Sequence, residues 1–169
     1  MATTLTRTIF RNLVPLVGGR RDCQPIIDAL WPEAIEPEWP REHTWVILPL
    51  MVQLSEHSLI NSDLEYGATT LDLRSALNRL LDTLQIDLTL PWLEPHDPTF
   101  DTDDHLAAYG DLLAAEGWAL ICSIDAEARH LLIVEHDQRM RACMLLMSLG
   151  PLEFECPADD VNAGFAQRC

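Results

Sequence analysis

Lysine is absent from this chain, and all eleven of its basic residues are arginine. Between Arg79 and Arg129 even arginine is missing. That stretch holds the acids Asp82, Asp87, Glu94, Asp97, Asp101, Asp103, Asp104, Asp111, Glu116, Asp125 and Glu127. Nucleic-acid binding demands cations clustered against phosphate, so neither DNA nor RNA is expected as a partner. The same shortage argues against docking on an anionic membrane surface. Apolar runs such as Thr44 to Leu54 are far too short to span a bilayer, so no membrane partner is expected either. The absence of lysine by itself carries no functional conclusion.

Paired thiol motifs are missing as well. The five cysteines, Cys23, Cys122, Cys143, Cys156 and Cys169, are odd in number and form no C-x-x-C. They read as reduced thiols, with Cys122 and Cys143 inside apolar runs as small core residues. The opening Met-Ala-Thr-Thr-Leu-Thr-Arg-Thr has neither an apolar h-region nor a cleavage site, which together with the thiols predicts a cytoplasmic location. Glycine-rich loops are lacking: Gly18-Gly19 follows a helix and not a strand, and no G-x-S-x-G, Walker or dinucleotide pattern occurs. No cofactor is implied, and the expectation is a protein that is not an enzyme.

Histidines stand at 43, 57, 96, 105, 130 and 136, without an H-x-x-x-H spacing. His130 and His136 flank one predicted strand at about 20 Å from each other, too far for a shared metal. No metal site is expected. Cys122 and His130 are the one thiol–imidazole pair worth weighing. A reactive thiolate needs an electropositive, partly open setting, whereas Cys122 lies between Ile121 and Ser123 in an acidic region. A buried thiol is the preferred reading.

What is present is apolar and acidic. The 169 residues carry a formal net charge of -16, with 48% apolar side chains and five tryptophans. That composition is globular, and a chain of this length buries roughly 70% of its unfolded surface without metal or disulfide. One domain over 1–169 is expected, with an acidic irregular tail from about residue 151.

Spacing predicts the elements. Leu5, Ile9, Leu13 and Leu16 mark a helix that ends before Gly18-Gly19, and Asp22 caps a second through Ile26, Ile27 and Leu30. Trp31 to Pro40 is punctuated by Pro32, Pro37 and Pro40 and reads as an irregular surface loop. Glu42 to Ser55 resumes as a helix with Trp45, Leu48 and Val52 on one face, and Leu59 to Tyr66 reads as a strand. Thr70 to Leu84 is strongly amphipathic, with Leu73, Leu77, Leu80, Leu81 and Leu84 as its buried stripe. Ile86, Leu88, Leu90 and Trp92 alternate as in a strand with one covered face. After the loop Glu94 to Pro98, Asp101 or Thr102 starts a helix through Leu106, Tyr109, Leu112 and Leu113, closed by Gly117. Trp118–Ile124 and His130–Glu135 form an antiparallel hairpin, and Asp137 caps a last helix, Gln138 to Leu149. The fold class is α+β: a small, mostly antiparallel sheet packed by about five helices.

Asp101-Thr102-Asp103-Asp104 invites a calcium-loop reading, but Leu106 and Leu112 stand where glycine and glutamate are required. A D-x-D-x-T phosphotransfer pattern fails because His105 is fifth and no buried strand precedes it. A helix N-cap with first-turn acids fits better, and it is compatible with a partner-facing cluster. Trp45 and Trp118 fall on apolar faces. Trp31 and Trp39 lie among Glu33, Glu36 and Glu38, where an aromatic ringed by acids has the composition of a binding hot spot. A loop pinned to the body by its tryptophans is the plainer reading of the same residues.

The run Tyr109-Gly-Asp-Leu-Leu-Ala-Ala-Glu-Gly-Trp-Ala-Leu-Ile-Cys-Ser-Ile-Asp125, with Leu131-Leu-Ile-Val134 and Met144-Leu-Leu-Met-Ser-Leu-Gly150, resembles a family of small acidic bacterial domains of unknown function. Those domains pair a helix, a G-W-x-L-x-x-I-D hairpin and a final helix; Leu90-Pro-Trp92 and the acidic loop fit the same pattern, over about the last 85 residues. The resemblance brings no catalytic residues. Proteins of this kind include immunity proteins encoded beside interbacterial toxins, type VI secretion effectors among them. The resemblance therefore implies an antitoxin that binds a basic protein toxin, preferably a nuclease, whose substrate site must be basic. Glu94, Asp97, Asp101, Asp103, Asp104 and Asp111 are the candidate partner-binding residues, with Trp39 as an anchor. The alternatives are an enzyme or metal-binding protein built from scattered carboxylates, and an accessory protein-interaction domain.

Overall fold

The computed structural model describes residues 2–19, 21–33, 51, 54–65, 68–94, 102–124, 128–149 and 154–155. Helix α1, Ala2–Val17, buries Ile9, Phe10, Leu13, Val14 and Val17 along one stripe and stops at Gly18-Gly19. Gly19 adopts φ +59, in the left-handed region. A Cβ at this position would lie 3.0 Å from the Leu84 carbonyl oxygen, so glycine alone lets the turn pack there. Asp22 then accepts a bond from the Gln24 N–H at 3.1 Å and starts α2, Gln24–Glu33. This helix carries on through Trp31 and Pro32, where an irregular loop is expected from the prolines. Pro32 has no N–H to donate to the carbonyl four residues back, and the helix closes one residue after it. The rest of that expected loop, 34–40 with Trp39, lies outside the described residues, as does most of the expected helix over 42–55. Met51, Leu54 and Ser55 of it are helical, and the helix runs on to Glu56.

Strand β1, Asn61–Glu65, lies within the stretch read as a strand. Helix α3, Thr70–Thr83, opens on a complete capping box. The Thr69 N–H reaches an Asp72 carboxylate oxygen at 2.8 Å, and the Asp72 N–H reaches the Thr69 hydroxyl at 3.3 Å. Leu73, Leu77, Leu80, Leu81 and Leu84 are all buried, as their spacing requires. Each such leucine contributes about 1.5–3 kcal/mol through burial.

No strand forms over 86–92. Ile86 and Leu90 are buried and Leu88 half-buried, but the segment joins no ladder. Pro91 has no N–H to give to a neighbouring strand. The carbonyls are satisfied otherwise: Arg74 Nε donates to Leu90 at 3.0 Å and the Tyr109 hydroxyl to Pro91 at 3.0 Å.

Helix α4 spans Thr102–Ala115 and ends at Gly117, which has φ +83 as a helix-terminating glycine does. Strands β2, Trp118–Ile124, and β3, Ala128–Glu135, pair antiparallel in continuous register from Trp118↔Glu135 to Ile124↔Arg129. The hairpin forms as expected, with β3 starting two residues earlier than His130. Among the described residues the sheet has four strands in the order β1-β3-β2-β4, all neighbours antiparallel. Its last member, β4, is the pair Phe154–Glu155, so the tail expected to be irregular contributes an edge to the sheet.

Residues 118–123 and 129–134 are buried without alternation, so the hairpin is covered on both faces. Helices α1 and α3 pack on β3, and α4 on β2. Helix α5, Arg139–Met147, touches both strands and follows a 3-10 turn over His136–Gln138. Asp137 falls inside that turn, so it is not the cap expected of it. The helix instead begins from Gln138 with no side-chain cap bond. The architecture is α+β with a small antiparallel sheet, and among the described residues its helices slightly exceed the expected five once Met51 and residues 54–56 are included.

Candidate functional site

Every Asp and Glu whose side chain is described is exposed. Several arginines, by contrast, give their hydrogen bonds to uncharged oxygens. Arg21 donates to the His57 carbonyl at 3.1 Å, Arg74 to the Leu90 carbonyl, and Arg141 to the Asn12 side chain at 3.4 Å. Among the described residues these three arginines form no ion pair, so they leave the exposed carboxylates unpaired by them.

Helix α4 organises the part of this surface foreseen from the sequence. Leu106, Tyr109 and Leu113 point into the core, and Asp104 and Asp111, two turns apart, share the outward face. Asp103 is turned about 100° from Asp104 on the helix and forms an ion pair with Arg129. The Arg129 side chain is 8% exposed and that of Asp103 61%. Of the expected set, Asp103 thus also ties the helix start to the sheet while remaining exposed. Glu94, Asp104 and Asp111 are exposed, and among the described residues they form no ion pair. Asp97, Asp101 and Trp39 lie outside the described residues.

Tyr109 brings the segment before α4 to its side. Its ring is fully buried, and the hydroxyl holds the Pro91 carbonyl. Burial raises the Tyr109 pKa above the ordinary tyrosine value, against a smaller opposing pull from Arg74. The phenol remains a donor at neutral pH. Next to Pro91, Trp92 is 46% exposed, with Glu94 two residues on. Leu112 on α4 is also exposed. An exposed tryptophan with an exposed carboxylate two residues on has the composition of an interface centre.

Trp92 was to be expected on the covered face of a strand; Pro91 was the signal against it. The second feature missed is on α5. Ala142, Cys143 and Leu146 are buried, while Met140, Met144 and Met147 form an exposed stripe on the opposite face, with Met144 68% exposed. The i, i+4, i+7 spacing of these methionines was legible in the sequence. Methionine is the side chain adaptable binding surfaces favour.

Other candidates resolve as structure. His105, fifth in the acidic motif, is buried and bonds the Thr70 hydroxyl at 2.9 Å, linking α4 to α3. Cys122 pairs across the hairpin with Leu131, and Ser123 with His130. Adjacent strand residues point to opposite faces, so Cys122 and His130 do not face one another. Cys23, Cys122 and Cys143 are buried. Among the described residues no three His, Cys, Asp or Glu side chains converge as metal ligands would. No described helix is long and apolar enough to cross a membrane. Comparison with family models, curated proteins and solved structures finds no match.

Proposed function

We propose that this chain is a binding protein for a basic protein, and that it serves as an immunity protein neutralising a cytoplasm-acting bacterial toxin. The observation that carries the reading is the exposed Trp92, next to the Pro91 carbonyl that Tyr109 holds and two residues before the exposed Glu94. A nuclease toxin is the preferred target. Its phosphate-binding site must be basic, and a carboxylate surface laid on it would occlude substrate. Charge of opposite sign raises association toward ~10⁸ M⁻¹s⁻¹ at low salt, which suits an inhibitor that must act before damage is done. The resemblance of the region after Ile86 to small acidic bacterial domains supports the same reading.

The test is capture from source lysate at low and high salt, with the bound protein identified by mass spectrometry. A basic toxin lost as salt rises supports the proposal, as does a toxin gene beside this one. Charge reversal then locates the surface. Asp104→Lys with Asp111→Lys slows association strongly while the fold survives; unchanged kinetics removes this helix face from the proposal. Asp103 is left intact in that variant because Arg129 depends on it.

The methionine stripe favours a second reading, an accessory domain that assembles through α5. Under it, Met144→Glu abolishes complex formation and salt has little effect on affinity.

A further inference from the structure

Neither α1 nor α5 contains an acid, in a chain that has 27. Between them the two helices carry Arg7, Arg11, Arg139 and Arg141, four of the eleven arginines. They pack on each other, and Arg141 donates to the Asn12 side chain across that contact at 3.4 Å. Acids resume only just before α5, at Glu135 and Asp137, and after α1, at Asp22. Arg11 and Arg141 are exposed and form no ion pair among the described residues. Charge is therefore segregated along the chain. This helix pair is basic, whereas the stretch between Arg79 and Arg129, which includes α4, holds acids and no arginine.

The outer face of α5 is apolar as well as basic. Met140, Met144 and Met147 are 55%, 68% and 49% exposed, while Ala142, Cys143 and Leu146 face the core. Arg141 lies three residues before Met144, so a guanidinium flanks the stripe. An apolar patch edged by unpaired cations calls for an apolar partner edged by anions. Helix α4 has that composition. Its outward face carries Asp104 and Asp111 two turns apart, with exposed Leu112 next to Asp111 and exposed Ala115 three residues further on. Neither Asp104 nor Asp111 forms an ion pair among the described residues.

We propose that the α1–α5 face of one molecule docks the outward face of α4 of a second copy. Leu112 of the one rests on the methionine stripe of the other, and Asp104 and Asp111 meet Arg141 and Arg11. The two patches are different and share no residue, so molecules join face to opposite face and the contact repeats until a ring closes. The net charge of -16 opposes the approach of copies at long range. Salt at about 0.15 M screens that repulsion beyond about 8 Å and leaves pairs in contact far less affected. A second copy and a basic toxin compete for α4, yet the association of copies holds whether or not such a toxin exists.

The test is sedimentation of the full chain at about 0.15 M salt, from micromolar to millimolar concentration. The mean mass rises with concentration to twice the monomer value or beyond. Met144→Glu spoils the stripe, and Asp104→Lys with Asp111→Lys spoils the acidic face; each variant alone stays monomeric. Mixed in equal amounts, the two variants restore one intact pair of faces and give a species of twice the monomer mass and no larger. That recovery also shows that both variants are folded. A wild-type chain that stays monomeric throughout overturns the proposal, as does a mixture that forms no dimer. So does a dimer of the doubly reversed variant alone, since α5 would then be pairing with itself. Capture of a basic protein through α4 survives Met144→Glu, so the toxin reading and this one fail separately.

Discussion

Asp103 and Asp104 are adjacent first-turn acids on α4, both exposed, yet their removal should differ in cost. Asp103 is the partner of Arg129, whose side chain is 8% exposed, while Asp104 faces water. Removing one member of a buried pair costs about 3–5 kcal/mol, and an exposed pair contributes below about 1 kcal/mol. Here the cation is buried and the anion is 61% exposed, so water screens one side of the interaction. A cost of about 1–2 kcal/mol is expected for Asp103→Ala. Asp104→Ala loses a favourable helix-dipole contact, about 0.5 kcal/mol. In a protein of this size the first corresponds to a fall in Tm of about 2–8 °C and the second to about 2 °C or less. Urea unfolding followed by tryptophan fluorescence measures both, and a double-mutant cycle with Arg129→Met isolates the pair. Equal costs for the two alanine variants would refute the reasoning, as would a coupling energy within about 0.3 kcal/mol of zero.

The Tyr109 contact predicts an alkaline effect: its raised pKa means the contribution is present below the ordinary tyrosine range and lost as pH climbs through the folded value. Tyr109→Phe should remove that alkaline limb and make the Trp92 fluorescence insensitive to it; an unaltered limb contradicts the assignment. The Asp72 carboxyl is held below its usual range by the Thr69 hydroxyl and then the Thr69 N–H, so its contribution is present above that range and lost as pH falls through the lowered value. Asp72→Asn should flatten the acid limb of a urea-midpoint profile, and an unchanged profile sinks the capping-box argument. Gly19→Ala should cost about 2 kcal/mol or more, from positive φ and the Leu84 contact together, whereas Gly117→Ala, with open space around it, should cost about 1 kcal/mol. Equal costs on chemical denaturation would show that the Leu84 contact contributes nothing.

Helices and the hairpin were legible because local rules and tertiary packing agree there. The leucine stripe of α3, the Asp22 cap and the terminating Gly117 each act within a few residues. The segment 86–92 misled because burial alternated as in a strand, while strand formation depends on a partner elsewhere in the chain. Arg74 and Tyr109, from two different helices, took the carbonyl bonds a neighbouring strand would have supplied. The same non-locality hid Trp92, and it hid the pairing of Asp103 with an arginine 26 residues away. A charge count gives the excess of acids, but only geometry shows which acid is bound at home.

The acidic excess comes from 27 acids against 11 arginines, and some of those arginines bond carbonyls instead of carboxylates. Arg74 closes the 86–94 segment onto α3, and Arg21 ties the turn after α1 to the His57 carbonyl. A lysine, with a point charge on a flexible stem, would fix these carbonyls less rigidly than a planar guanidinium does. Cations used inside the structure in this way leave Asp111 of α4 to solvent, beyond the first turn and with no ion pair among the described residues, where self-repulsion lowers stability. A basic partner would relieve that repulsion. Removing the outward charge beyond the first turn by Asp111→Asn should accordingly leave the free protein at least as stable, while weakening its capture of a basic protein. Loss of stability in that neutral variant would mean that this acid serves the fold, and the argument from an unneutralised surface would fail.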